Sequence, residues 1–255
     1  MRAFNAIFWR ELKAYFYSPI AYVLLVGFLA ITGYFFYSGV AFYTLASMQA
    51  MQNPAFANLN LQDALVAPLL SNMSIILMLI TPLLTMRLLS EEKRSGTLEL
   101  LLSYPLSDTT VVMAKFLAAW CVVFITLGLS LIPFVILNSM GELHWPAVLA
   151  GYLGLLLMGG AFVSLGILAS SATENQIVSA VVAFAAVLLL WVLSWVSGVV
   201  GSQTGKLLKA LSLGEHFQRF PQGLIDTADL SYFVLFIGFF LFVTIRTLEA
   251  KRWKA

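Results

Sequence analysis

Pro146-Ala-Val-Leu-Ala-Gly-Tyr-Leu-Gly-Leu-Leu-Leu-Met-Gly-Gly-Ala-Phe-Val-Ser-Leu-Gly-Ile-Leu-Ala-Ser170 carries no charged residue. As a helix rising about 1.5 Å per residue, it is long enough to cross the roughly 30 Å hydrocarbon core of a bilayer. Its apolar residues are continuous rather than alternating, which excludes a strand of a membrane barrel. Five further runs share this character, near 20–43, 66–86, 112–137, 177–200 and 230–247. The expected fold is an all-α integral membrane protein with six transmembrane helices in a single membrane domain over 1–255. Composition agrees: 61% of the residues are hydrophobic and 10% charged, where a soluble domain carries about 25% charged residues.

The net charge of +2 is small, and the basic residues flank apolar runs instead of forming patches, so no nucleic-acid partner is expected. The single cysteine, Cys121, lies in an apolar run and supports neither an intrachain disulfide nor a multi-cysteine metal site. Packing is its expected role. The first apolar run, from Pro19 to about Tyr43, exceeds the roughly 7–15 residues of a signal-peptide core and reads as an uncleaved first span.

Orientation follows from the Lys and Arg residues in the connections. Arg2, Arg10 and Lys13 precede span one; Arg87, Lys93, Arg94 and Lys115 lie between spans two and three; Arg246, Lys251, Arg252 and Lys254 follow span six. The opposite connections hold only Lys206, Lys209 and Arg219. Eleven against three puts both termini in the cytoplasm, and Trp145 and Trp253 fit interfacial anchoring. Residues 44–65 read as a polar outer loop, 138–145 as a tight one and 171–176 as a short cytoplasmic turn. Residues 201–229 are too apolar for a solvated loop and too interrupted for a span, and read as a re-entrant or interfacial helical pair.

The spans lack ionisable residues in their interiors; Lys115 and Glu174 sit at the margins. Proton-coupled carriers need such groups to bind and release the driving ion, which leaves backbone-coordinated sodium as the ion-coupled alternative, and neither a ring of charges nor a carbonyl-rich filter of an ion channel can be read. Energy for any movement should therefore enter from outside the membrane. No Walker A motif is present, so the chain is not itself an ATPase. No cofactor, metal or catalytic residue is expected. His216 with Ser212 and Asp226 is the nearest approach to a catalytic set, without nucleophile-elbow or zinc-ligand spacing; a structural histidine is the plainer reading.

The most informative segment is Arg87-Leu-Leu-Ser-Glu-Glu-Lys-Arg-Ser-Gly-Thr-Leu-Glu-Leu-Leu-Leu-Ser-Tyr-Pro105. It continues span two with charges, breaks at Gly96 and resumes with Thr97 as an N-cap. Leu98, Leu101 and Leu102 then share one face while Glu99 points elsewhere. Pro105 stops the short helix, and Ser107-Asp108 can cap span three. Two readings stand: an ordinary interfacial loop obeying charge orientation, or a docking helix whose apolar knob, flanked by Glu91, Glu92, Lys93, Arg94 and Glu99, fills a groove on a soluble partner.

Glu92-Lys-Arg-Ser-Gly-Thr-Leu-Glu-Leu-Leu followed by Pro105 resembles the coupling region of ABC type-2 permeases, particularly the gliding-motility GldF-like group. Glu11-Leu-Lys-Ala-Tyr-Phe-Tyr-Ser-Pro19 looks like that family's N-terminal interfacial helix, and Ser171-Ala-Thr-Glu-Asn-Gln-Ile-Val178 like its turn between spans four and five. His216-Phe-Gln-Arg-Phe-Pro-Gln-Gly-Leu-Ile-Asp226, with Asp229, resembles the segment before the last span. The resemblance implies a bacterial inner-membrane permease of an ATP-driven exporter, paired with a second copy or a related permease. ATP and magnesium would be held by a separate ABC ATPase subunit. The alternative is a membrane anchor or scaffold without transport.

It further implies that Glu91, Glu92, Lys93, Arg94, Gly96, Thr97, Leu98, Glu99, Leu101 and Leu102 serve the ATPase contact. Glu11, Glu174, Asn175 and Gln176 would form a secondary cytoplasmic contact; Asn175 and its neighbours also read as capping and turn residues. His216, Phe217, Phe220, Gly223, Asp226 and Asp229 would form an outer gate, a contact for an extracytoplasmic accessory protein, or a hydrogen-bonded closure. The amphipathic pattern of Phe4, Ile7, Phe8, Leu12, Tyr15 and Phe16 with Arg2, Arg10 and Lys13 suits lying in the lipid interface over 1–18. Gly159, Gly160, Ser164, Gly166 and Ser170 suit close helix approach.

Overall fold

The computed structural model describes residues 2–49, 60–97, 107–140, 143–197 and 202–252. The described residues are helical and contain no strand. Helix α1, Arg2–Tyr17, ends at a bend at Ser18, and α2, Pro19–Gln49, begins on a proline whose missing N–H costs nothing at a helix start. A π-helical turn, Gln62–Val66, leads into α3, Ala67–Thr85, and α4, Ser90–Arg94, follows. Next come α5, Asp108–Leu129, and α6, Ile132–Met140, then α7, Trp145–Ala172, and α8, Gln176–Ser197. Helices α9, Ser202–Leu211, and α10, Leu213–Phe217, with a 3₁₀ turn at Phe220–Gln222, precede α11, Thr227–Arg252.

Among the described residues six helical stretches are long and apolar enough to cross a membrane, close to the six expected runs. The first runs to Gln49 instead of ending near Tyr43, because nothing between the two breaks a helix. The third is not one rod: Pro133 has no N–H to offer the carbonyl of Leu129, and the chain breaks at Ser130 and Leu131 between α5 and α6. Span two continues into the charged segment as expected, its helical stretch running from Gln62 to Arg94. Within it the regular α-helix stops at Thr85, gives way to turns over 86–89 and resumes as α4.

Helix α7 is the centre of the bundle, touching α3, α5, α8 and α11. Its small residues explain how. A Cβ on Gly159 would lie 2.8 Å from Val123 of α5, one on Gly154 2.5 Å from Phe220, and one on Gly166 2.8 Å from Cβ of Thr85 in α3. Ser164 and Ser170 are fully buried. Packing between helices in lipid depends on such close approach, since no hydrophobic drive separates helix from solvent there. Helices α2, α8 and α11 turn many large apolar side chains outward, among them Val23, Tyr34, Val181, Leu189, Leu235 and Phe239.

Thr85 is β-branched, buried and bonded to its own helix at the carbonyl of Thr81, 3.0 Å away, so it cannot swing aside for an added methyl group. Gly166→Ala should therefore destabilise the protein by about 1–3 kcal/mol, measured as a lower thermal midpoint in detergent. Adding Thr85→Ala should restore most of the loss; no recovery would mean that the two helices do not meet there.

Candidate functional site

The break over 86–89 frees backbone groups that have no water to turn to inside a packed bundle, and each needs a partner. Ser170, two residues before the end of α7, supplies three bonds. Its Oγ accepts from the amides of Leu89 and Ser90, both at 3.0 Å, and donates to the carbonyl of Met86 at 3.0 Å. The buried Tyr15 hydroxyl of α1 donates to Leu84 O at 2.9 Å. Arg87 reaches back to Ala14 O at 3.2 Å while its guanidinium lies over the Tyr15 ring, 4.9 Å from the centroid. Lys115 of α5 donates to Leu88 O at 2.8 Å.

Lys115 has only 1% of its side chain exposed, and a buried ammonium must be fully paired. Its three protons find three acceptors: Leu88 O, Glu11 Oε1 at 3.0 Å and Glu92 Oε1 at 2.9 Å. Arg10 closes the cluster, at 2.6 Å from Glu11 Oε1 and 2.7 Å from Glu92 Oε1. Two carboxylates and two cations thus join α1, α4 and α5. Burial alone would raise the Glu11 carboxyl, but Lys115 and Arg10 outweigh it and hold the group below its ordinary value. Beside the quartet lies a cavity of about 410 Å³, with Arg87, Glu91, Ser95 and Thr97 in its wall.

The structure thus brings together Glu11 and Glu92, which the sequence assigned to separate contacts. Lys115, set aside as marginal, is the residue that joins them. Its sequence signal was a lone cation within an apolar helix, which physics allows only with a partner. The other segment residues fall as follows. Lys93 donates to the carbonyl of Ser171 at the end of α7. Gly96 takes φ +69°, the left-handed turn that ends α4. The Thr97 hydroxyl donates back to Glu92 O at 3.3 Å. Glu91 borders the cavity, and Arg94 closes α4 on its exposed side. Leu98, Glu99, Leu101 and Leu102 lie outside the described residues. Ser107 caps α5, its side chain accepting from the Thr110 amide. Asn175 caps α8, its Oδ1 2.9 Å from the Ile177 amide, beside Glu174 and Gln176.

The second candidate group sits at the far end of α7. Phe220 packs at Gly154 while Ser170 meets the 86–89 break, and the sixteen helical steps from Gly154 to Ser170 span about 24 Å. His216 pairs through Nδ1 with Asp229 Oδ1 at 2.7 Å, lies 3.2 Å through Nε2 from Ala210 O, and stacks on Tyr232 at 3.8 Å. Asp226 instead binds Arg219 at 2.6 Å and accepts from the Ala228 amide at the start of α11. Ser212 caps α10 by accepting from Glu215 N. The trio His216, Ser212 and Asp226 therefore does not assemble for catalysis. Phe217 and Phe220 are buried, and Gly223, at φ +81°, closes the 3₁₀ turn.

A family profile described as ABC-2 family transporter protein matches residues 5–250. The chain belongs to the ABC-2 transporter family. It is a multi-pass membrane permease component of an ABC transporter, a class of transmembrane subunits generally without catalysis of their own that pairs with an ABC ATPase subunit. No curated protein matches the chain. Within this ABC-2 permease, the ion quartet is the place where the charged segment after span two is fixed to the bundle.

Lys115→Met should leave two carboxylates with Arg10 alone and cost roughly 3 kcal/mol, read as a drop in thermal midpoint; Glu92→Gln added to it should recover part of that loss. A second outcome concerns acid. A carboxyl held below its unfolded value of 4.5 contributes stability above that pH and loses it as pH falls through the lower folded value. The stability gap between the native protein and Glu11→Gln should therefore be full at pH 7 and close below pH 4, as thermal unfolding at each pH would report. A gap that persists in acid would remove Glu11 from the network.

Proposed function

We propose that this ABC-2 permease is the transmembrane subunit of an ATP-driven exporter of the bacterial inner membrane, of the GldF-like group. Both termini would face the cytoplasm, and a separate ATPase that binds ATP and magnesium would dock on the segment 87–105. The observation that carries the reading is the quartet. The charged start of that segment is not a tethered loop but is ionically bound to α1 and α5 and hydrogen-bonded to the end of α7. A push on α4 by a closing ATPase would thus reach three other helices at once, α1, α5 and α7, without waiting for a flexible linker to tighten. In this reading Leu98, Leu101 and Leu102 fill a groove on the ATPase, Glu91 and Arg94 flank it, and Glu174 offers a secondary contact. Force enters at the Ser170 end of α7 and is delivered at the end where His216, Asp229 and Arg219 close the chain. A second copy, or a related permease, completes the pathway.

The test is co-purification with the cognate ATPase. Replacing Leu98, Leu101 and Leu102 together with Asp should abolish association, while Arg10→Gln, which only loosens the quartet, should keep association yet lower ATP-dependent movement of the His216 end by at least severalfold. That movement is measurable as a distance between spin labels. Retained association of the triple variant would overturn the docking assignment. Full association with no ATP-dependent distance change in the native protein would favour an anchoring or scaffold role.

A further inference from the structure

Helix α1 lies against α5, with Ile7 buried on Val111 and Ala114, and toward its N-terminal half the two helices part to leave an apolar groove of about 440 Å³. One wall is Phe4, Phe8 and Trp9 of α1; the other is Trp120, Cys121 and Phe124 of α5. The walls are preset. Phe4 stacks on Phe8 at 6.3 Å, Phe8 meets Trp9 edge-on at 5.8 Å, and Phe116 stacks under Trp120 at 5.7 Å. The Trp120 indole donates to Leu156 O at 2.9 Å, which satisfies its polar atom within the wall. Trp9 and Phe124 remain more than half exposed.

The rim has a different character. Asn5 borders the groove, and Arg2 and Lys13 lie on the same face of α1, three residues before Asn5 and four after Trp9. Both cations are exposed and make no ion pair among the described residues, in contrast to Arg10, which is committed to the quartet.

We propose that this groove binds an anionic phospholipid, one acyl chain lying between the aromatic walls and the anionic headgroup drawn to the cations that flank the groove, Arg2 toward one end of α1 and Lys13 beyond Trp9, about 16 Å apart along the helix. An apolar slot flanked by exposed cations that have no ion pair among the described residues matches a molecule that is an apolar chain ending in an anion. A second copy of the chain fits less well, because a two-fold interface would set this cationic face against itself. The bound lipid would wedge α1 against α5 and so support the helix that supplies Arg10 and Glu11 to the quartet.

The test uses the full chain, with its ATPase if they co-purify, in mild detergent. Native mass spectrometry after incubation with palmitoyl-oleoyl phosphatidylglycerol or the matching phosphatidylcholine should show one retained phosphatidylglycerol per chain and weaker phosphatidylcholine. Removing the rim charges with Arg2→Gln and Lys13→Gln should lower the preference about fivefold for each; filling the slot with Cys121→Trp should abolish both adducts. Cys121 provides a readout that needs no groove variant, being the chain's single cysteine. Its alkylation by a maleimide should be severalfold slower in phosphatidylglycerol nanodiscs than in phosphatidylcholine nanodiscs. Equal retention of the two lipids, equal alkylation rates, or loss of a dimer mass instead of a lipid mass on filling the slot would each overturn the proposal.

Discussion

A helix cannot be interrupted inside an apolar bundle unless its freed amides and carbonyls are met, and the interruption over 86–89 organises this protein. Three groups from three other helices converge on it: the Ser170 hydroxyl, the Lys115 ammonium and the Tyr15 hydroxyl. Lys115 in turn would be untenable in a buried position without carboxylates, which brings Glu11 and Glu92 to it and Arg10 to them. The backbone break, the buried cation and the docked N-terminal helix are thus one arrangement, each part making the next affordable in free energy.

The same logic recurs at the second break. Pro133 interrupts the third span, and Tyr152 of α7 answers there, its hydroxyl donating to Ser130 O at 2.9 Å and lying 3.0 Å from the Ser130 hydroxyl. Helix α7 serves both irregular points, and its glycines let the neighbouring helices come near enough for short polar side chains to reach. A central helix rich in small residues with a few hydroxyls is thus a structural spine, and its length sets the separation between the quartet and the His216 group. Motion applied at one end would travel along a single stiff, closely packed rod.

The proposed coupling would give the quartet a mechanical context. Force from a soluble motor would have to enter through a small contact, and a contact built on a loose loop would dissipate it. Here the segment leaving span two is anchored twice before it reaches Gly96, once by ion pairs to α1 and α5 and once by Lys93 at the end of α7. The left-handed turn at Gly96 then sets the direction in which the chain departs.

Composition and periodicity alone determined the helical class and the six apolar stretches, because crossing a bilayer demands long runs that nothing else in a chain imitates. Local chemistry was also legible: Ser107 and Asn175 cap the helices that follow them, and Gly96 ends the charged turn, since each acts within a few residues of itself. The break at 86–89 and the pairing of His216 with Asp229 instead of Asp226 were decided by the tertiary structure, for each depends on a partner outside its own segment, whereas the kink beside Pro133 has a local cause in the missing N–H. Lys115 marks the boundary between the two. Its sequence position says that a buried cation needs an anion; only the packing of α1 across α5 could select Glu11 and Glu92 to supply it.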